Sequence, residues 1–129
     1  MRELHLPIIL FCLIILLSGC SASNPIQLYQ IDNGRAIKMK PGDTLEIVLD
    51  ANPTTGYQWK ALPWDTEVIE QIDKPVYKSK SEAIGSGGKL TFYFKALSTG
   101  QTPLKFIYFR DFERDVPPIK SFKVTIVVS

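Results

Sequence analysis

Apolar residues recur at every second position in several short stretches of this chain, and a two-residue period is the signature of strands with one buried face. The clearest is residues 44–50, where Leu45, Ile47 and Leu49 fall on one face and Glu46, Val48 and Asp50 on the other. Residues 89–96 repeat the pattern with Leu90, Phe92 and Phe94, residues 102–110 with Leu104, Phe106 and Tyr108, and residues 121–128 with Phe122, Val124, Ile126 and Val128. Tyr57, Trp59 and Ala61 share a face opposite Gln58 and Lys60. Shorter strands are expected at 27–31, 36–39 and 76–80. In the last, Lys78 and Lys80 mark an edge, because charges there discourage pairing with another chain. Residues 62–73 are irregular and fit a short strand or a helical turn equally.

Turn residues punctuate these stretches. Asn33-Gly34, Pro41-Gly42 and Ser98-Thr99-Gly100 are tight-turn signals, while residues 81–88 and 111–118 are expected as longer loops. Short strands separated by turns, with no amphipathic helix, predict an all-β chain: an immunoglobulin-like antiparallel β-sandwich of about seven to eight strands. Trp59 follows the loop after residue 50 much as the buried tryptophan of such sandwiches enters its strand. No disulfide is available to staple the sheets, so the core must hold by packing, with Phe92, Phe94, Phe106, Tyr108 and Phe122 at core-facing positions.

The first part of the chain has a different character. After Met1, Arg2 and His5, residues 6–17 form an apolar run of the length of a secretory signal core, too short to span a bilayer as a helix. Leu17-Ser18-Gly19-Cys20 then has the form of a lipobox, which resembles a bacterial lipoprotein signal; an ordinary signal cleaved near Ala22 is the alternative. The expected organisation is a signal peptide over 1–19, a lipidated Cys20 with a tether to residue 25, and one domain over 26–129. Ser21 after the cysteine, in place of Asp, points to the outer membrane of a bacterial envelope under the usual Gram-negative rule.

Cleavage before Cys20 leaves 110 residues, enough for a two-sheet core but small for an enzyme cleft. It also removes Cys12 and His5, the only histidine, and the lipid occupies Cys20. Without histidine or a free thiol, the mature chain cannot build a Ser-His-Asp triad, a Cys-His pair or a His/Cys zinc site. An enzyme resting on carboxylates such as Asp65 and Glu67 has no selective spacing to recommend it. Asp111, Glu113 and Asp115 lack the glycine turn and distal glutamate of an EF-hand calcium loop, and no metal or cofactor is expected. Losing Arg2 and Glu3 leaves fourteen basic against twelve acidic residues, too even for nucleic-acid binding.

What remains is binding, and three loops are its candidates. Asn52-Pro53-Thr54-Thr55-Gly56-Tyr57 is a stiff turn: Pro53 fixes its φ and extends Asn52, Gly56 accepts a positive φ, and Thr54 and Thr55 are left at the tip with hydroxyls that can donate or accept. The plain alternative is a structural turn. Gly85-Ser86-Gly87-Gly88 is either a flexible connector or a backbone bare enough to lie along another chain. Arg110-Asp111-Phe112 joins two residue types enriched at interface hot spots, against the alternative of a solvated charge run with Phe112 folded back. In a seven-strand sandwich, loops at these places gather at one end.

The three motifs together resemble the chagasin-type inhibitors of papain-like cysteine peptidases. That family carries Asn-Pro-Thr-Thr-Gly-Tyr/Phe, Gly-x-Gly-Gly and Arg-Pro-Trp/Phe in this order on an immunoglobulin-like fold. The first two motifs are complete here; in the third, Asp111 stands where the family usually has proline. The resemblance implies a monomeric domain whose three loops form a wedge occluding the peptidase's active-site cleft. Thr54 and Thr55 would approach the catalytic cysteine and histidine, and the Gly85–Gly88 backbone would line one side. Phe112 would pack on the other with Arg110 bracing it, and Tyr57 and Trp59 would support the first loop from below. A lipid-anchored adhesion module using the same loops is the alternative.

Overall fold

The computed structural model describes residues 24–129, and the signal run, the lipobox and Cys20 lie outside them. The strands are β1 (Ile26–Leu28), β2 (Ala36–Met39), β3 (Thr44–Ala51), β4 (Tyr57–Ala61), β5 (Ile69–Gln71), β6 (Val76–Ser79), β7 (Gly88–Ala96), β8 (Gly100–Arg110) and β9 (Lys120–Val128). They form two sheets. One runs β1-β3-β7, with β5 and β6 both bordering the far side of β7; the other runs β2-β9-β8-β4.

Most pairings are antiparallel, as expected, but β1 pairs with β3 and β2 with β9 in parallel. These two short strands flank the sandwich at neighbouring sheet edges. Residue periodicity fixes which face a strand buries, and it says nothing about pairing direction.

The faces follow the alternation. Leu45, Ile47, Leu49, Phe92, Phe94, Leu104, Phe106, Tyr108, Phe122, Val124, Ile126 and Val128 are all buried in one core. Phe106 sits at its centre, its ring centroid 4.7 Å from that of Phe92, 6.1 Å from Phe94 and 6.2 Å from Phe122. Truncating such a ring to alanine costs about 3–5 kcal/mol, a large share of the stability of a domain with no disulfide.

Two segments depart from the alternation. The strand expected over 27–31 stops at Leu28, and Gln30–Asp32 form a 3-10 turn. The cause is local: the Asp32 carboxylate accepts the Tyr29 N–H at 2.8 Å and pairs with Arg35, curling the chain back. These two contacts, the backbone bond first, hold the Asp32 carboxyl below its ordinary pKa. The undecided stretch 62–73 contains a turn followed by β5. Asp65 Oδ1 accepts the Glu67 N–H at 3.0 Å, and Trp64 Nε1–H reaches the Ile69 carbonyl at 2.8 Å while its ring meets Phe94 edge-on.

Strand direction then places the loops. Ala51 pairs with Gly88, Ser79 with Gly88, Tyr57 with Arg110 and Tyr108 with Lys120, so the β3–β4, β6–β7 and β8–β9 connections emerge at one end. Ile26 pairs with Leu45 at the start of β3, so the chain enters the domain at the opposite end.

Candidate functional site

The first loop closes on itself. Asn52, extended at φ −140°, caps a 3-10 turn over Pro53–Thr55, and Gly56 ends it at φ +80°, a conformation open to glycine. Asn52 Oδ1 accepts the Thr54 N–H at 3.2 Å and the Thr54 hydroxyl at 2.6 Å. The Asn52 carbonyl accepts the Thr55 N–H at 3.2 Å and its hydroxyl at 2.7 Å, and the Pro53 carbonyl accepts the Gly56 N–H at 3.1 Å. Every N–H from 54 to 56 and both threonine hydrogens are therefore bonded inside the loop. The exposed tip offers a partner hydroxyl lone pairs, which narrows the sequence expectation of donors and acceptors alike to acceptors.

Two side chains fasten this loop to its neighbours. Asn52 Nδ2–H donates to the Gly85 carbonyl at 3.1 Å, tying the first loop to the second. Arg110 Nε–H donates to the Thr55 carbonyl at 3.0 Å, tying it to the third. Glu113 holds Arg110 from the other side at 2.8 Å, raising the guanidinium's already high pKa. The guanidinium carbon lies 4.2 Å above the Tyr57 ring and 5.8 Å from that of Phe112. Phe112 stands 71 % exposed at the tip of its turn, closed by Glu113 N–H to the Arg110 carbonyl at 3.2 Å.

Below the loop, Trp59 Nε1–H donates to the Asp50 carbonyl at 2.9 Å and Tyr108 Oη accepts the Asn52 N–H at 3.1 Å, so both loop stems are pinned across the sheets. The Tyr108 ring stacks between them, 5.3 Å from Tyr57 and 4.8 Å from Trp59.

All thirteen expected loop residues thus come to one end of the sandwich, though not in equivalent settings. Gly85 is exposed at φ +81°, and Ser86 donates to the Ser81 and Ala83 carbonyls, shaping its own loop. Gly88, expected in the loop, is the buried first residue of β7. A Cβ there would run into the Lys78 carbonyl and come within 2.9 Å of Ser79 Cα, so this glycine is needed for the close approach of β6. Sequence reasoning passed over Tyr108 as a loop support, Glu113 as the brace on Arg110, and Ile84, fully exposed beside Gly85. An isoleucine inside a Ser/Gly-rich loop was the available signal for the last. Among the described residues no group of His, Cys, Asp and Glu could hold a metal ion.

A family profile described as chagasin family peptidase inhibitor I42 matches residues 38–126. The chain belongs to the chagasin family of peptidase inhibitors. Over 87 residues it is 30 % identical to amoebiasin-2 of Entamoeba histolytica, covering 67 % of this chain and 71 % of that protein. Its fold is similar to the crystal structure of EhICP2, a cysteine protease inhibitor from Entamoeba histolytica, with a TM-score of 0.72 at 23 % identity over 81 % of this chain and 95 % of that one. It is also similar to PbICP-C, solved in complex with falcipain-2, with a TM-score of 0.56 at 19 % identity over 83 % and 93 % of the two chains. Chagasin-family proteins are inhibitors of cysteine peptidases, so this chain acts by binding and is not an enzyme. The adhesion alternative is not favoured.

Proposed function

We propose that this chagasin-family domain inhibits papain-like cysteine peptidases by seating its three-loop end in the active-site cleft. The observation that carries this reading is the closed hydrogen-bond set of residues 52–56, with its cross-links through Asn52 to the second loop and Arg110 to the third. A loop whose amides are already satisfied loses little freedom on docking, so less of the contact energy is spent on ordering it. Thr54 and Thr55 present hydroxyl lone pairs toward the donors of a catalytic cysteine–histidine pair. The stiff turn blocks the nucleophile without offering it an aligned carbonyl. The Gly85–Gly87 backbone flanks one side, with Ile84 as an apolar contact, and Phe112 flanks the other.

Soluble chain beginning after Cys20, titrated into active papain and cathepsin-like peptidases, should inhibit stoichiometrically and reversibly. Thr55→Ala combined with Phe112→Ala should weaken that inhibition by about tenfold or more, equivalent to about 1.4 kcal/mol per tenfold. Full potency in the double variant would remove these residues from the mechanism.

The lipobox reading extends the proposal to location: Cys20 carries a lipid that holds the domain in a bacterial envelope, at the outer membrane. Chain entry at the end opposite the loops supports this arrangement. The eight-residue β3 separates entry from wedge by about 26 Å at roughly 3.3 Å per residue, leaving the wedge directed away from a tethering membrane. Radiolabelled palmitate incorporated by the wild type and lost in Cys20→Ala is the expected result; equal labelling of both would refute it.

A further inference from the structure

At the loop end the two sheets leave a recess of about 160 Å³, lined by Asp50, Asn52, Lys80, Gly87, Tyr108 and Lys120 among others. Lys80 adjoins the second loop, its N–H donating to the Gly87 carbonyl at 3.0 Å. Lys120 opens β9, with Nζ 5.5 Å from the centre of the Tyr108 ring. Neither ammonium makes an ion pair among the described residues. The one carboxylate in the lining, Asp50, is already held by Lys89, and Lys89 in turn stands directly across from Lys78. Like charges facing each other across strands are destabilising, so this surface carries positive charge beyond what packing requires.

Tyr108 adds an independent observation. Only 5 % of it is exposed, and its oxygen accepts the Asn52 N–H. The hydroxyl's own hydrogen has no acceptor among the described residues. Its oxygen is satisfied by that bond, and the hydrogen is left to the solvent of the recess until an acceptor displaces it. The recess therefore presents donors, two of them cationic, beside one carboxylate, Asp50, which hydrogen-bonds Lys89 and also feels the charges of Lys80 and Lys120, so three ammonium groups share a single negative partner.

We infer that this recess receives one carboxylate, an Asp or Glu side chain on the rim of the peptidase cleft, bound between Lys80, Lys120 and the Tyr108 hydroxyl as the wedge seats. The inference rests on the proposed inhibitory docking and adds a specificity element to it. The opening lies between loops that enter the cleft, so the group that reaches it is a side chain of the peptidase rim. The volume admits a whole Asp or Glu side chain, being about that of a cavity that holds benzene. Peptidases with an acidic residue at the matching rim position would be preferred, and neutral or basic rims disfavoured, because Lys80 and Lys120, exposed in the free domain, lose water on docking and only a carboxylate returns a charge to them.

The test uses the full-length chain and a sensitive papain-like peptidase. Lys80→Gln with Lys120→Gln is compared with Lys38→Gln with Lys95→Gln, which removes the same charge far from the recess. Inhibition by the wild type should weaken about fivefold between 50 and 300 mM NaCl as the charges are screened. The recess pair should weaken inhibition about tenfold at low salt and lose most of that salt dependence, while the distant pair stays within about twofold of the wild type. Among single Asp→Asn and Glu→Gln changes around the peptidase cleft, one should weaken the wild-type inhibitor about tenfold and leave the recess variant unaffected. Equal effects of the two lysine pairs, or no rim carboxylate coupled to the recess, would overturn the inference. So would binding of free acetate in the recess while the recess variant inhibits like the wild type, which would make it a small-anion site. A wild type that fails to inhibit any such peptidase would overturn the proposed function along with it.

Discussion

Asn52 is the residue on which stiffness of the wedge depends, and its two side-chain atoms can be perturbed separately. Asn52→Asp keeps an oxygen to accept the Thr54 N–H and hydroxyl, but it replaces the Nδ2 donor with an oxygen facing the Gly85 carbonyl across 3.1 Å. The bond between the first two loops is lost and a repulsion takes its place. Asn52→Ala removes that link and also the cap on the turn. A net hydrogen bond is worth about 0.5–1.5 kcal/mol, and loss of an asparagine cap costs about 1 kcal/mol. Both bonds are exposed, so in the free protein water replaces them and the fold loses little. The cost falls on binding, where the loops must be reordered against the cleft. Inhibition of a sensitive papain-like peptidase should therefore weaken about five- to tenfold for Asn52→Asp and about fivefold further for Asn52→Ala. The melting temperature should fall by less than the roughly 4–8 °C that 1 kcal/mol costs a domain of this size. Inhibition constants and melting curves measured on the same preparations decide the matter. If Asn52→Asp inhibits like the wild type, the link to Gly85 does not preorganise the wedge; if the two variants weaken inhibition equally, the link carries the effect and the cap on the turn adds nothing to it.

The two ends of the glycine motif should respond differently. Gly88→Ala forces β6 off β7 and should lower the melting temperature by about 5–15 °C, the overpacking cost being roughly 1–3 kcal/mol. Gly85→Ala has open space but a φ of +81°, a strain of about 1 kcal/mol that should lower melting by roughly 4–8 °C or be relieved by a shift of the exposed loop, and it should weaken inhibition several-fold; a larger melting loss than Gly88→Ala with inhibition unchanged would contradict these placements. Asp111 occupies the second position of the turn closed by Glu113 N–H to the Arg110 carbonyl, where proline is favoured, and Arg110 before it is already extended at the end of β8. Asp111→Pro should therefore keep or improve inhibition, and a tenfold loss would show that the loop needs a backbone freedom that the turn does not reveal. Asp50, held chiefly by the Lys89 hydrogen bond, and Asp32 both have carboxyls below their ordinary pKa, so each stabilises the fold fully above about pH 4 and that contribution fades as pH falls through the lower folded value. The only histidine is His5, so melting of residues 24–129 should be flat from pH 5 to 8 and decline below about pH 4; a transition near pH 6.5 would contradict this.

The sequence disclosed which strand faces are buried because a period of two is imposed by the pleat itself, and every long strand obeyed it. It also disclosed the three loops, since their chemistry is local: proline before the threonines, glycine after them. It could not disclose what is set by neighbours distant in the chain. Gly88 belongs to a strand because the Lys78 carbonyl passes too close for a side chain, a constraint arising ten residues away. Tyr108 reads as one more core aromatic, and only the sheet-to-sheet register brings its hydroxyl under Asn52. The 3-10 turn at Gln30–Asp32 was missed for a different reason: one carboxylate bonded to the backbone outweighed a weak strand preference.

Gly56 shows how closely the loops depend on one another. Its positive φ ends the first loop, and the missing Cβ leaves room for the third, because a Cβ at this position would lie 2.9 Å from Phe112 Cε1. The ring edge rests where any other residue would place its side chain. Arg110 fills the remaining angle, donating to the Thr55 carbonyl while its plane covers Tyr57, the residue that follows the glycine. The exposed aromatic of the third loop is thus positioned by the backbone of the first, and the first is held in turn by a side chain from the third. Such mutual support explains how two exposed loops keep one relative placement without a disulfide or a metal. It also means that affinity depends on residues such as Gly56, Asn52 and Glu113 through the geometry they impose, even where another side chain makes the contact.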